Sequence, residues 1–172
     1  MTKLRLVMED IVKDFPGVRA LDGVSLSVAK GEIHGLLGEN GAGKTTLMSV
    51  LCGLYRQESG TVALHDKKTG LLTHVDIKRP KDAIKYGVGM VHQHFRLVEN
   101  QTVVENCMLG IERSGWLLNY GDVERKVMEL GNKYGIQVDP NSYVWELSVG
   151  EQQRVEILKM LYRDADLLIM DE

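Results

Sequence analysis

The sequence has 172 residues, 44% of them apolar and 26% charged, which is the balance of one globular domain and excludes a disordered or fibrous chain. With 21 basic against 24 acidic side chains the formal net charge is -3, so the basic footprint of a nucleic-acid binder is missing and no partner of that class is expected. No stretch approaches the length of a bilayer-crossing helix, and residues 1–10 lack the apolar core of a signal peptide. Cys52 and Cys107 have no C-x-x-C spacing and lie among apolar neighbours, so buried free thiols are expected.

In chain order, residues 4–12 and 24–28 alternate apolar and polar and predict strands near a sheet edge, with Phe15-Pro16-Gly17 as a turn between them. Residues 33–37 form a short apolar run of the kind buried on both faces of a parallel sheet, and it stops at Gly38. Leu47, Val50, Leu51 and Leu54 then recur at helical spacing, which predicts a helix over 44–54. Residues 61–66 predict another edge strand, and 67–74 a polar insertion. Pro80 suits the first position of a short helix reaching Tyr86, followed by a compact core strand over 87–91. From 98 to 143 the pattern is helical, with Val123, Val127, Leu130 and Tyr134 on one stripe. The chain closes with a helix over 149–162 and a buried strand over 167–170.

The segment Gly38-Glu39-Asn40-Gly41-Ala42-Gly43-Lys44-Thr45 matches G-x-x-x-x-G-K-[ST], and it lies between a predicted strand and a predicted helix. Glycines let successive N–H groups curl around a β-phosphate, and the helix N-terminus adds its positive dipole end. Lys44 supplies a charge for the β- and γ-phosphates, and Thr45 a hydroxyl for magnesium, with Thr46 beside it in the same binding set. ATP and magnesium are the ligands this motif implies. At the other end Asp171-Glu172 follows an apolar strand, so two carboxylates reach a strand end. Asp171 is placed to hold magnesium, and Glu172 to act as general base toward the attacking water.

Between these motifs lies Leu147-Ser148-Val149-Gly150-Glu151-Gln152-Gln153-Arg154, and with it the sequence resembles the ATP-binding-cassette (ABC) family, whose signature usually reads L-S-G-G-Q. The likeness runs through essentially the whole chain. Phe15 matches the aromatic that stacks on adenine, and Gln93 the glutamine that senses magnesium and the γ-phosphate and contacts the membrane partner. In the family two cassettes close head to tail, so Ser148 and Gly150 would complete the partner's ATP site in trans. Val149 and Glu151 depart from the common signature, and Glu151 puts a carboxylate near a triphosphate unless it points away or pairs with Arg154. The stretches 15–21, 91–95 and 148–158 are similar to the ATPases of bacterial simple-sugar and nucleoside importers, with His92 and His94 leaning to the nucleoside side. Those two histidines, lacking a third ligand, read as loop or interface residues rather than a metal site. Trp116, Trp145 and the methionines read as packing.

The resemblance implies an α/β P-loop NTPase of the ABC type, with a mixed core sheet, antiparallel edge strands and a helical subdomain. It divides one nucleotide-binding domain, 1–172, into a core and edge-sheet part (1–93), a helical subdomain (94–147), and the signature helix with the strand that carries the acidic pair (148–172). Family members continue with further strands and a switch histidine. The chain is therefore expected to be the N-terminal cassette of a longer protein, incomplete at its C-terminus, marginally stable alone and weak in ATP turnover. The implied partners are a second cassette, membrane permease subunits met through the Gln93 region and the helical subdomain, and indirectly an extracytoplasmic solute-binding protein. The implied place is the cytoplasmic face of the cell membrane. Two other readings stay open: a soluble cassette protein of DNA repair, iron-sulfur assembly or translation, and an interaction module that binds ATP with little turnover.

Overall fold

In the computed structural model, which describes residues 3–67, 69–92, 96–110 and 119–171, the chain divides into two compact units, Met1–Gly89 and Met90–Glu172. The first is built on a long hairpin. Strands β1 (Leu4–Phe15) and β2 (Val18–Ala29) pair antiparallel across the Pro16-Gly17 turn, with Phe15 opposite Val18 and Met8 opposite Leu26. Leu6 and Met8 alternate into the core, but the next core residue is Ile11, three positions on. A bulge resets the alternation: the register shifts between Met8 and Ile11, with Asp10 at a φ of 51°. Gly60, on the adjoining strand, passes so close that a Cβ there would lie 2.6 Å from the carbonyl oxygens of Glu9 and Asp10.

Strand β3 (Ser59–His65) pairs antiparallel with the other edge of β1, and β4 (Leu72–His74) with β3, so the order is β2-β1-β3-β4. The segments expected at sheet edges, 4–12 and 61–66, are therefore interior, and part of the expected polar insertion is itself the edge strand. An edge strand needs ladder partners but no apolar face, and β4 is exposed at all three positions, which is why alternation gave no sign of it.

Helix α1 (Lys44–Leu51) buries Leu47, Val50 and Leu51. It ends a turn earlier than expected, before Gly53, and Leu54 is left 40% exposed. The larger departure is upstream. Residues 33–37 are not a buried strand but irregular chain, with Ile33 100% and Leu37 92% exposed. An apolar run becomes a strand only where neighbours supply ladder partners and cover, and no described strand pairs with this one. Helix α2 (Pro80–Lys85) starts at its proline, and β5 (Val88–Val91) is buried at all four positions, both as expected.

The second unit gathers α3 (Val103–Met108), α4 (Tyr120–Tyr134) and α5 (Val149–Tyr162) around one core, with β6 (Leu167–Met170) pairing with β5. Val103, Val104 and Cys107 of α3, Val123, Val127 and Leu130 of α4, and Val155 and Leu158 of α5 are buried together. The expected stripe on α4 is there except Tyr134, which is 51% exposed. Thr102 and Glu105 form a capping box at the start of α3, and Asn119 caps α4. Strand β6 is less buried than expected, only Ile169 being in the core and Met170 63% exposed. Both cysteines are buried, and burial pushes each thiol up to about 12, which keeps both protonated at neutral pH.

Candidate functional site

Within the first unit the 38–45 segment turns into α1, and the turn is made by glycine. Gly41 and Gly43 have φ of 84° and 89°. A Cβ on Gly43 would lie 2.7 Å from the Ala20 carbonyl oxygen and 2.9 Å from a Leu21 methyl, so β2 presses on the loop where it becomes helix. Lys44 folds back over the loop and donates to the Gly38 carbonyl (2.7 Å) and the Glu39 carbonyl (2.9 Å). An ammonium has three protons. Two hold the loop closed, and one remains for an anion.

The N-terminus of α1 is left open to that anion. Gly43 offers no side-chain cap, and the first turn holds no carboxylate. Thr45 is exposed there, with Thr46 half-buried beside it. A positive dipole end and an ammonium fit a phosphate group, and the exposed Thr45 hydroxyl is a hard donor of the kind magnesium takes.

Phe15 ends β1 and is half-buried. Its ring meets Tyr55 edge to face, with centroids 5.1 Å apart at 82°, and Lys13 Nζ stands 5.3 Å from its centroid, held by Glu58 at 2.6 Å. The Tyr55 N–H in turn donates to the Ser49 carbonyl of α1 (3.3 Å), so the chain leaving the phosphate-loop helix orients the aromatic. Tyr55, Lys13 and Glu58 were not legible as neighbours of Phe15, because their separation in sequence gives no pattern.

In the second unit the ends of β5 and β6 are brought together, Asp171 N–H donating to the Val91 carbonyl (3.2 Å). Asp171 is half-buried beside His92. Burial, with Arg96 nearby, holds the His92 pKa below its ordinary value against the pull of Glu156 and Asp171, so the ring is neutral at neutral pH. Gln93, His94, Glu172 and Trp116 lie outside the described residues.

Ser148 is the N-cap residue of α5, which starts at Val149 as expected, and Gly150 is exposed with open space where a Cβ would stand. Glu151 neither points away nor depends mainly on Arg154. Ser148 Oγ donates to Glu151 Oε2 at 2.6 Å, and Ser148 N–H donates to the same oxygen at 2.9 Å. These bonds hold the Glu151 carboxyl below its ordinary range, and Arg154 adds only a small pull. Trp145 is not packing in a core: it is 63% exposed and stacks on Tyr143 with centroids 6.3 Å apart.

The profile of the family described as ABC transporter matches residues 21–172, a stretch that takes in the phosphate loop, the signature and Asp171 and leaves Phe15 upstream. A nucleoside import ATP-binding protein of Lactococcus lactis is 50% identical over 96% of this chain and 32% of its own length. A glucose import ATP-binding protein of Haloferax volcanii is 47% identical over 97% of this chain and 34% of its own length. The chain thus spans about a third of the length of these curated relatives. Among solved structures, the ADP conformation of an ATP-binding cassette of an ABC transporter aligns with a TM-score of 0.81 at 28% identity, over 99% of this chain and 69% of that one. With its phosphate loop, its signature and its strand-end aspartate inside the matched stretch, this chain belongs to the ABC transporter family and has the ABC ATPase fold.

Proposed function

We propose that the chain is the ATP-binding and ATP-hydrolysing cassette of an importer for sugars or nucleosides. The observation that carries the reading is the phosphate loop, where Lys44 bonds two loop carbonyls at the carboxylate-free N-terminus of α1. In this reading the amides of 41–46 and the Lys44 ammonium bind the β- and γ-phosphates, and Phe15 stacks on the base. Thr45, Gln93 and Asp171 hold magnesium, which when bound offsets the charge of the phosphate oxygens. Glu172 takes the proton of the attacking water.

The names of the relatives, importers of nucleosides and of glucose, support the importer class. The cassette then works with a second cassette whose ATP meets Ser148 and Gly150, and with permease subunits that contact the Gln93 region and the helical subdomain on the cytoplasmic face of the membrane. A solute-binding protein delivers the cargo to those subunits. A second reading, an ATP-dependent interaction module with little turnover, is favoured by one observation, the engagement of the Ser148 hydroxyl by Glu151.

Calorimetric titration of ATP with magnesium tests the binding claim. Lys44→Ala is expected to weaken binding about 100-fold, the worth of the one charge-assisted hydrogen bond that Lys44 has left for the anion; unchanged affinity contradicts the assignment. Turnover by the full-length protein that Glu172→Gln abolishes, together with co-purification of a polytopic membrane protein, selects the importer over the interaction module.

A further inference from the structure

Helix α5 buries two charged side chains, Glu156 at 2% and Lys159 at 6% exposure. They stand three residues apart on one face, yet their closest nitrogen and oxygen are 3.8 Å apart, too far for a hydrogen bond. Their short bonds go to one other residue. Arg96 N–H donates to Glu156 Oε1 (2.8 Å), and Lys159 Nζ donates to the Arg96 carbonyl (2.8 Å). A carboxylate and an ammonium therefore grip both main-chain polar groups of a residue 60 and 63 positions away from them.

Such a grip is costly. Each buried charge gives up several kcal/mol of solvation, and well-packed apolar residues of similar volume fill such a place at no such cost. Burial accordingly lowers the Lys159 pKa, with Glu156 opposing. Nor does satisfying a buried main chain require charge. In the same unit the neutral, fully buried Asn106 accepts from Val98 N–H (2.8 Å) and donates to the Val98 carbonyl (3.0 Å). What charge adds is strength, roughly twice that of a neutral bond.

We propose that Glu156 and Lys159 are positioning residues: a two-point clamp tying the main chain at Arg96, three residues after Gln93, to the helix that begins at Ser148. Through it the main chain at Arg96 and the signature helix move as one body, so a displacement at either is delivered to the other. The significance of Gln93 and Ser148 rests on the function proposed above, whereas the clamp itself rests on the four atoms that form it.

The test uses the full-length protein with its membrane subunits in proteoliposomes. Three variants are compared: Lys159→Met, Lys159→Arg, and the apolar pair Glu156→Leu/Lys159→Met. The apolar pair is expected to stay folded and to bind ATP within about 2-fold of wild type, since apolar replacement of a buried pair is well tolerated. Exchange of the Arg96 amide is expected to speed up 10-fold or more, and stimulation of ATP turnover by the membrane subunits to fall 10-fold or more at an unchanged basal rate. Lys159→Arg, which keeps a donor, should restore most of the stimulation that Lys159→Met loses. Stimulation at the wild-type level in the apolar pair overturns the proposal, and so does an equal fall in basal and stimulated rates, the mark of a merely structural role. If the apolar pair does not fold, Lys159→Met decides by the same readouts. If the wild type is not stimulated at all, the importer reading fails instead, and the clamp is judged by exchange alone. ATP should then slow exchange at Arg96 and at 148–151 together in the wild type and separately in the variants; separate responses in the wild type overturn it.

Discussion

Helices α1 and α5 both begin at an exposed turn, and both present the positive end of a helix dipole, but they are prepared in opposite ways. The start of α1 is bare: glycine at the N-cap, no acidic residue in the first turn, and an ammonium folded over the loop. The start of α5 is engaged from within, the Ser148 hydroxyl and N–H both donating to the Glu151 carboxylate. A capped end stabilises its own helix, and an uncapped one gives up that stability and keeps its amides for a ligand. In the function proposed above, the contrast gives the two ends different standing in ATP binding: the first takes phosphate unaided, and the second has to exchange its own hydrogen bonds before it meets a phosphate.

The comparison is broken most severely at Gly43. Gly43→Ala forces a Cβ against the Ala20 carbonyl at a φ of 89°, so a loss of about 2–3 kcal/mol is expected. Thermal unfolding reads this as a fall in Tm of roughly 5–10 °C. A Tm within a degree of wild type would mean the loop is not pressed on β2.

Glu151→Gln sharpens the comparison from the other side. It removes a carboxylate from the serine that is proposed to meet phosphate while leaving an amide oxygen to accept from Ser148. ATP-driven association, followed by sedimentation, is expected to strengthen about 3- to 10-fold at low salt, with the gain shrinking as salt rises. Weaker association would assign Glu151 a supporting role. The pH dependence has a definite sign. The Glu151 pKa is lowered from 4.5 in the folded chain, so the cap contributes fully above that value and its contribution disappears as pH falls through the lowered one. Exchange at the amides of 148–151 should accelerate in that acid range in the wild type and show no such step in Glu151→Gln.

The smallest expected effect is at Tyr55, whose edge orients Phe15. Tyr55→Leu should weaken ATP binding about 2- to 5-fold, the worth of one aromatic contact, and Tyr55→Phe should restore it. Equal affinities in all three proteins would remove Tyr55 from the proposed base site.

What the sequence disclosed follows from how local each signal is. The phosphate loop, the start of α5 at Ser148 and the start of α2 at Pro80 are written in consecutive residues, because loop closure, capping and a fixed φ act over a few positions. Strand identity is not local in that sense. Residues 33–37 have the composition of a core strand and no pairing partner among the described residues, while β4 has a partner and no composition to match. Glu156 and Lys159 were illegible for a related reason: charges three apart on a helix ordinarily read as a solvated face, and only the packing of Arg96 against α5 shows them buried. Tyr55 reaches Phe15 across 40 residues of sequence, a distance no motif spans.

The most direct test of the contrast between the two helix ends is to follow their backbone amides by NMR while ATP and magnesium are added at a protein concentration that keeps the chain monomeric. The expected result is that amides of 41–46 shift and become protected while those of 148–151 do not, the latter responding only when concentration drives association. Equal response of both sets in the monomer, or no response at 41–46, would contradict it.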